Sequence, residues 1–332
     1  MNKVINNHHQ STDVIRFILQ QDAVLYTPRG LMNTDQTNAH PPVCDYEGSD
    51  YQASFWEQGE REYEDQVEAV ALRRLLPSGG NLLLEVGAGA GRNTSRYTGF
   101  KQIVLVDYSL TQLQQAQERL GRSERYIYVA ADAYRLPFQV GLFDTATMIR
   151  VLHHMAEPEL ALDQVQRVLS PGGVFILEYA NKQNLKAILR YVLHRQSWSP
   201  FSLEAVEFTK LNYDFHPKAV QSWLQSAGFV LERQLTVSHF RLALLKRLVP
   251  VRWLVWLDSL VQHTGNWWQL TPSVFTRSHR ENEPAYPTAR GFFQCPECST
   301  GLNQPQTDYL TCSGCGRVWA IRDGIYDFRK PD

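Results

Sequence analysis

Residues 81–86, Asn-Leu-Leu-Leu-Glu-Val, run directly into Gly87-Ala88-Gly89-Ala90-Gly91-Arg92. A short apolar run that stops on glycines reads as a buried strand. Alternate glycines let the chain turn tightly and allow a ligand to touch the backbone. A nucleotide-like cofactor is the natural occupant of such a loop, and the sheet must present its carboxyl edge to it. Downstream the order repeats. A helix-like stretch through Arg96 is followed by strands at 102–106, 126–130 and 143–148, with helices at 110–120 and 157–169. A sharp turn at Pro171-Gly172-Gly173 leads into a β-rich run at 174–179. Upstream, 57–76 has the spacing of an amphipathic helix that ends before Pro77. Strands alternating with helices at this spacing imply right-handed crossovers and a mostly parallel sheet covered on both faces, an α/β class.

After residue 179 the pattern loosens. A helix at 216–227, started by His216 and Pro217, leads into a strand at 228–231, and a last strand falls at 274–277. Between these two strands lies a basic, apolar insertion at about 241–268. The chain of 332 residues, 43% hydrophobic and 20% charged, is too ordinary in composition for a coiled coil or fibre. Its formal charge of -1 excludes a surface built throughout to hold nucleic acid by counterion release. Five cysteines are too few for a disulfide scaffold, and the opening residues have no apolar core like a secretion signal. The expected location is cytoplasmic. The most apolar stretch, 241–261, is interrupted by Lys246, Arg247, Pro250, Arg252 and Asp258 and is not a spanning helix. Residues 1–50 read as an N-terminal extension or cap with a short helix near 14–19. Residues 51–281 read as the main domain, 282–290 as a linker with two prolines, and 291–332 as a separate small module.

The glycine spacing alone suits both nicotinamide and S-adenosylmethionine sites. Asp107 closes the second strand about 20 residues later, where a carboxylate accepts both ribose hydroxyls, and it too suits either cofactor. Asp132 follows the third strand, where a carboxylate can accept from an adenine amino group, which NAD sites do not require. Leu169-Ser-Pro-Gly-Gly-Val174 and Met148-Ile-Arg-Val-Leu-His-His-Met155 complete an ordered set.

On these four motifs, residues from about 80 to 180 resemble the class I S-adenosylmethionine-dependent methyltransferases, in the small-molecule branch that contains the ubiquinone and menaquinone methyltransferases. The resemblance covers about a third of the chain. It implies a Rossmann-like seven-stranded methyltransferase sheet with a reversed last strand and the cofactor lying across the strands' carboxyl ends. It also implies that Glu85 supports the loop and the methionine amine, and that Gly87, Ala88 and Gly89 contact the cofactor. Asp107 would take the ribose, Tyr108 beside it would also contact the cofactor, Asp132 and Ala133 would hold the adenine, and Arg150 would border the methionine and sulfonium.

Methyl transfer is an in-line displacement, so the protein chiefly aligns the acceptor, excludes water and supplies a base where the acceptor carries a proton. The Asn/Asp-Pro-Pro-Tyr/Phe signature of many amino-group methyltransferases is replaced here by Arg150-Val-Leu-His153. His153 and His154 are the candidate bases, with capping of the strand–helix junction as the competing role. Residues 182–280 hold 13 Lys or Arg against 5 Asp or Glu. With Trp253, Trp256, Trp267 and Trp268 they form either a lid over a hydrophobic or anionic small-molecule acceptor or a peripheral contact with an anionic membrane surface. A basic helix pair packed on its own sheet is the competing reading.

Cys295, Cys298, Cys312 and Cys315 have the spacing Cys-x2-Cys-x13-Cys-x2-Cys, which in an intracellular chain predicts one structural zinc on four thiolates. A module this small would draw its stability from the metal. Residues 312–326 resemble the zinc-ribbon methyltransferase activator proteins, which implies a docking or packing element for a catalytic domain. From Gly291 onward four Lys or Arg face five Asp or Glu, a poor match for RNA. Methylation of RNA or protein with the ribbon as a docking element, and a non-catalytic interaction protein, stand as alternatives. Cys44 is expected to be a free, partly buried thiol.

Overall fold

Hydrophobic side chains alternate along the central strands and divide the core between two faces of one sheet. In β2 (Gly80–Val86), Leu82, Leu84 and Val86 enter one cluster while Leu83 enters another, as the two-residue period of a strand requires. The computed structural model describes residues 41–48, 61–281, 291–303 and 308–329, together with the backbone of β1 (Val24–Leu25). The expected helix near 14–19 and the linker at 282–290 lie outside the described residues.

After β1 come α1 (Glu62–Leu75), β2, β3 (Phe100–Asp107), α2 (Leu110–Leu120), β4 (Tyr126–Ala130) and β5 (Phe143–Met148). The chain continues through α3 (Pro158–Val168), β6 (Leu169–Ala180), α4 (Leu185–Val192), β7 (Val206–Thr209), β8 (Asn212–Asp214) and α5 (Pro217–Ser226). Then follow β9 (Phe229–Val237), α6 (Ala243–Leu248), α7 (Val251–Val261), β10 (Ser273–Arg280), β11 (Tyr309–Thr311), β12 (Val318–Arg322) and β13 (Ile325–Asp327).

The main sheet has the order β11-β12-β13-β4-β3-β2-β5-β6-β10-β9. Strands β4, β3, β2, β5 and β6 are parallel, and β10 runs antiparallel between β6 and β9. The α/β class, the seven-stranded core and the reversed last strand are therefore present. A second small sheet has the order β1-β7-β8.

Local sequence accounts for most of the elements. Helix α1 buries Tyr63, Val67, Ala71, Leu72 and Leu75 along one stripe, the helical repeat of an amphipathic face. Ser109 caps α2 by accepting from the Gln112 N–H, and Gly121 ends it at φ 81°. His216 caps α5, accepting from the Lys218 N–H at 3.2 Å, with Pro217 at the first position.

Two expectations need correction. The helix foreseen through Arg96 is only a 3₁₀ turn at Thr94–Arg96. Gly87, Gly89 and Gly91 all have positive φ, and the Thr94 hydroxyl is drawn to Glu85 at 2.6 Å instead of facing solvent. The turn at Pro171-Gly172-Gly173 is absorbed into the irregular start of β6, where the register against β5 shifts between Phe143 and Thr145.

The C-terminal module is built into the sheet. Strand β13 pairs parallel with β4, Ile325 opposite Tyr128 and Asp327 opposite Ala130. Phe293, Leu302, Trp319 and Phe328 join the core cluster that contains Leu84, Ala146 and Phe175. Phe293 stacks on Phe138 at 5.7 Å between centroids.

Helix α1 carries the second organising contact. The fully buried Glu68 carboxylate accepts from Arg150 Nε at 2.7 Å and Arg92 Nη2 at 2.8 Å. Burial alone would raise its pKa, but the two guanidiniums outweigh it and hold the carboxyl below its usual range. Breaking one partner of a buried pair leaves an uncompensated charge. Glu68→Gln should therefore lower the unfolding free energy by about 3 to 5 kcal/mol in urea melts at neutral pH. A loss within experimental error would contradict the role assigned to this cluster.

Candidate active site

The carboxyl ends of β2, β3, β4 and β5 open on one cavity. Glu85, Gly87, Ala88, Gly89, Asp107, Tyr108, Asp132, Ala133 and Arg150 all line it, together with His154. His153 does not. Successive side chains of the 3₁₀ turn Leu152–His154 leave the axis about a third of a turn apart, so only the second histidine faces the cavity. His153 Nδ1 is buried without a hydrogen-bond partner. Burial, His154 and Arg150 together hold its imidazole well below the usual histidine range.

The glycine loop has the geometry its sequence demands. Gly87 has φ 68°, and a β-carbon there would lie 2.1 Å from Val151 Cγ2, so the loop after β2 and the loop after β5 touch where no larger residue fits. Gly89 has φ 53°, and a β-carbon there would meet only Gln112 Oε1 at 3.7 Å. Asp107 fastens the loop by accepting from the Gly89 N–H at 2.8 Å and the Ser109 N–H at 3.0 Å. Burial raises the Asp107 carboxyl, and these N–H groups oppose it. Its oxygens retain acceptor capacity beyond these two bonds. Asp132 accepts from the Tyr134 N–H at 2.9 Å through one oxygen.

Glu85 lies beneath the loop, 4% exposed. It accepts from Thr94 Oγ1 at 2.6 Å and from the Tyr97 hydroxyl at 3.1 Å. Burial nevertheless pushes its carboxyl up to about 7. A ligand ammonium beside it would restore the charged form. Carboxylates at the ends of β2, β3 and after β4, set around a positive-φ glycine turn, form a donor-accepting cradle that could hold a nucleoside amino-acid cofactor. Arg150 has φ 59°. Its N–H donates to Glu178 Oε2 at 2.9 Å, while its guanidinium turns to Glu68.

Several contributors lack a local sequence signal. Val43, Cys44 and Tyr46, from the segment read as an N-terminal extension, close one side of the cavity. Cys44 is half-buried, as expected, and burial raises its thiol. Glu47 fixes this segment by accepting from the Leu110 N–H at 2.9 Å and the Thr111 N–H at 3.2 Å, the first turn of α2. Arg329, from the C-terminal module, bonds both Glu47 at 3.3 Å and the Tyr108 carbonyl at 3.3 Å. The Tyr46 hydroxyl lies 3.1 Å from His154 Nε2, and His154 Nδ1 lies 2.9 Å from the Leu211 carbonyl. A carbonyl only accepts, so Nδ1 carries the proton and Nε2 is left as the acceptor.

The thiols of Cys295, Cys298, Cys312 and Cys315 form one cluster with every sulfur within 4.8 Å of the others. Two of the separations are 3.7 Å and 3.4 Å. A tetrahedron of thiolates about 2.3 Å from a zinc ion has edges of about 3.8 Å, so the donor set fits that ion. Ser299 at φ 60° and Gly316 at φ 72° make the two knuckle turns.

The strand order and the glycine turn at the sheet's carboxyl edge define a Rossmann-like methyltransferase fold. A family model described as a methyltransferase domain matches residues 84–177. The demethylmenaquinone methyltransferase of Clavibacter sepedonicus is 31% identical over 186 residues, covering 52% of this chain and 76% of that protein. The chain therefore belongs to the class I S-adenosylmethionine-dependent methyltransferases, and it is an enzyme of that family. The ubiquinone/menaquinone biosynthesis C-methyltransferase UbiE of Pseudomonas syringae pv. syringae is 29% identical over 167 residues, 45% of this chain and 65% of that protein. Among solved structures, a chain of the complex between the Haloferax volcanii Trm112 methyltransferase activator and a methyltransferase superposes with TM-score 0.50. That match is 15% identical and covers 70% of this chain and 96% of the other, a likeness of fold.

The two glycines separate structure from ligand. Gly87→Ala should melt well below Gly89→Ala, because only the first drives a β-carbon into Val151, while both carry the left-handed backbone cost of about 1 to 2 kcal/mol. Gly89→Ala should keep its fold and lose cofactor affinity. Equal melting temperatures for the two variants would contradict this division of roles.

Proposed function

We propose that the enzyme methylates a small, apolar molecule at carbon or oxygen. The observation that carries this reading is the single cavity in which Asp107 and Asp132, at the ends of neighbouring strands, face the glycine turn beside the Tyr46–His154 pair. Bound S-adenosylmethionine supplies an electrophilic methyl carbon on a sulfonium. In this reading Asp107 and Tyr108 hold the ribose, Asp132 and Ala133 the adenine, and Glu85 the methionine amine, with Gly87, Ala88 and Gly89 in backbone contact. Arg150, fastened to Glu68, borders the reacting end.

The acceptor's proton passes to the Tyr46 hydroxyl as that hydroxyl gives its own proton to His154 Nε2. Its Nε2 lone pair faces the Tyr46 hydroxyl, its Nδ1–H is held by Leu211, and burial keeps its imidazole below the usual histidine range. It is therefore neutral and able to accept a proton at pH 7. Apolar neighbours Val43, Val151 and Met155 exclude water from the same cavity and favour an uncharged acceptor. The names of the relatives, a demethylmenaquinone methyltransferase and a ubiquinone/menaquinone biosynthesis C-methyltransferase, favour the same class of acceptor. His153, outside the cavity lining, has a packing role.

Residues 51–281 form the catalytic domain in this reading, and 291–332 a zinc ribbon built onto its sheet. A structural zinc on Cys295, Cys298, Cys312 and Cys315 leaves no open position for metal catalysis. Thiolate ligation of this kind suits a reducing compartment, and the cytoplasm is the location we assign. The edge of β13 is already spent on β4, which favours a packing role for the ribbon over docking of RNA or protein.

His154→Ala should lower kcat toward a proton-bearing acceptor by about 10²- to 10⁴-fold with cofactor affinity nearly unchanged, and His153→Ala should change kcat little. Because the His154 pKa is lowered, kcat should stay level as pH falls to about 6.5 and decline only below it. Equal losses in both variants, or a decline beginning above pH 7, would overturn the assignment.

A further inference from the structure

The elements at 185–193 and 240–270 expose large apolar side chains in an unusual concentration. Trp267 is 76% exposed, Leu248 71% and Leu244 68%, with Trp253, Trp256 and Trp268 each more than half exposed. Helix α4 adds Leu185, Leu189 and Val192. These elements adjoin. The Leu185 N–H donates to the Leu270 carbonyl at 2.8 Å, and Lys186 is close enough to Arg241 to feel its charge. Helices α6 and α7 are joined only through Val249 and Pro250. A patch of this extent on a soluble face marks an interaction surface.

Its charge identifies the occupant. Residues 183–203 and 240–270 contain Lys186, Arg190, Arg195, Arg241, Lys246, Arg247 and Arg252, against the single acid Asp258. Asp258 is fully buried, receiving the Tyr63 hydroxyl at 2.7 Å and the His239 N–H at 2.8 Å. The exposed face is therefore aromatic, aliphatic and basic, with no exposed acid on these segments. A second copy meeting this face symmetrically would set like charges against each other. Exposed tryptophans on an apolar, cationic surface suit the interface of an anionic bilayer. Among the described residues no helix is long and apolar enough to cross a membrane, so the contact lies along the surface.

We propose that this face rests on an anionic phospholipid surface, resting on the apolar-acceptor reading for its purpose, since it would bring the site to where such an acceptor dissolves. Arg241 and Lys246 reach from the face to Glu64 at 3.5 Å and 3.2 Å, one turn along α1 from Glu68, the partner of Arg150. The face is therefore tied through α1 to Arg150, which lines the cavity.

The test is co-sedimentation of the full-length protein, without cofactor or acceptor, with phosphatidylglycerol-rich and with pure phosphatidylcholine vesicles at low salt. The expected result is selective pelleting with the anionic vesicles and a blue shift of tryptophan emission. Arg247→Glu/Arg252→Glu and Trp267→Ser/Trp268→Ser should each weaken binding by about tenfold or more while leaving S-adenosylmethionine affinity unchanged. Absence of pelleting, pelleting indifferent to lipid charge, or a dimer that dissociates in the tryptophan variant would overturn the proposal, the last by giving the face to a second copy. Those results would leave the methyl-transfer reading standing. Selective vesicle binding by an enzyme that methylates no apolar acceptor would instead overturn that reading.

Discussion

Val151 Cγ2 occupies the space where a β-carbon of residue 87 would stand, and the site depends on that close approach. It brings the loop after β2 against the loop after β5, so the backbone turns through three positive-φ glycines at the sheet's carboxyl edge. The Gly89 N–H is then within reach of Asp107 on β3. Two neighbouring strand ends thus become one wall of a cavity. The parallel sheet provides the crevice, and the glycines keep it open to a ligand.

Buried charge fixes the opposite wall. Glu68 draws Arg150 and Arg92 onto α1, and Asp65 on the same helix bonds Arg92 and Arg96. Arg150, in turn, sits at positive φ with its N–H on Glu178 of β6. Such a cluster is a weak source of net stability, but it is strongly selective for one arrangement because each unpaired member would be costly. It converts a helix preceding the sheet into a positioning element for the loops after β2 and β5. The C-terminal module does the same from the other edge, where Arg329 joins Glu47 to the Tyr108 carbonyl.

The part of the site carried by local motifs was legible in the sequence. The glycine loop, Asp107 and Asp132 each mark a strand end by spacing alone, and all three reach one cavity. The cysteine spacing likewise foretold a single cluster of four thiols. Contacts between distant segments left no such trace. Tyr46 meets His154 across 108 positions, and Arg150 meets Glu68 across 82. Neither pairing has a periodicity to betray it. The separate C-terminal module foreseen from composition shares the main core, because the parallel addition of β13 to β4 depends on an exposed sheet edge that composition does not encode. The helix expected through Arg96 failed for a related reason. Glu85 takes the Thr94 hydroxyl, and a tertiary hydrogen bond overrode a local preference.

Calorimetric titration of the zinc-replete protein decides whether this cavity holds S-adenosylmethionine. Saturable one-site binding of S-adenosylmethionine and S-adenosylhomocysteine is expected, with a Kd of about 1 to 100 μM, no binding of NAD, and a loss of about 1.5 to 3 kcal/mol in Asp107→Ala. Binding of NAD in place of the sulfonium cofactor, or an Asp107→Ala variant with undiminished affinity, would contradict that occupancy.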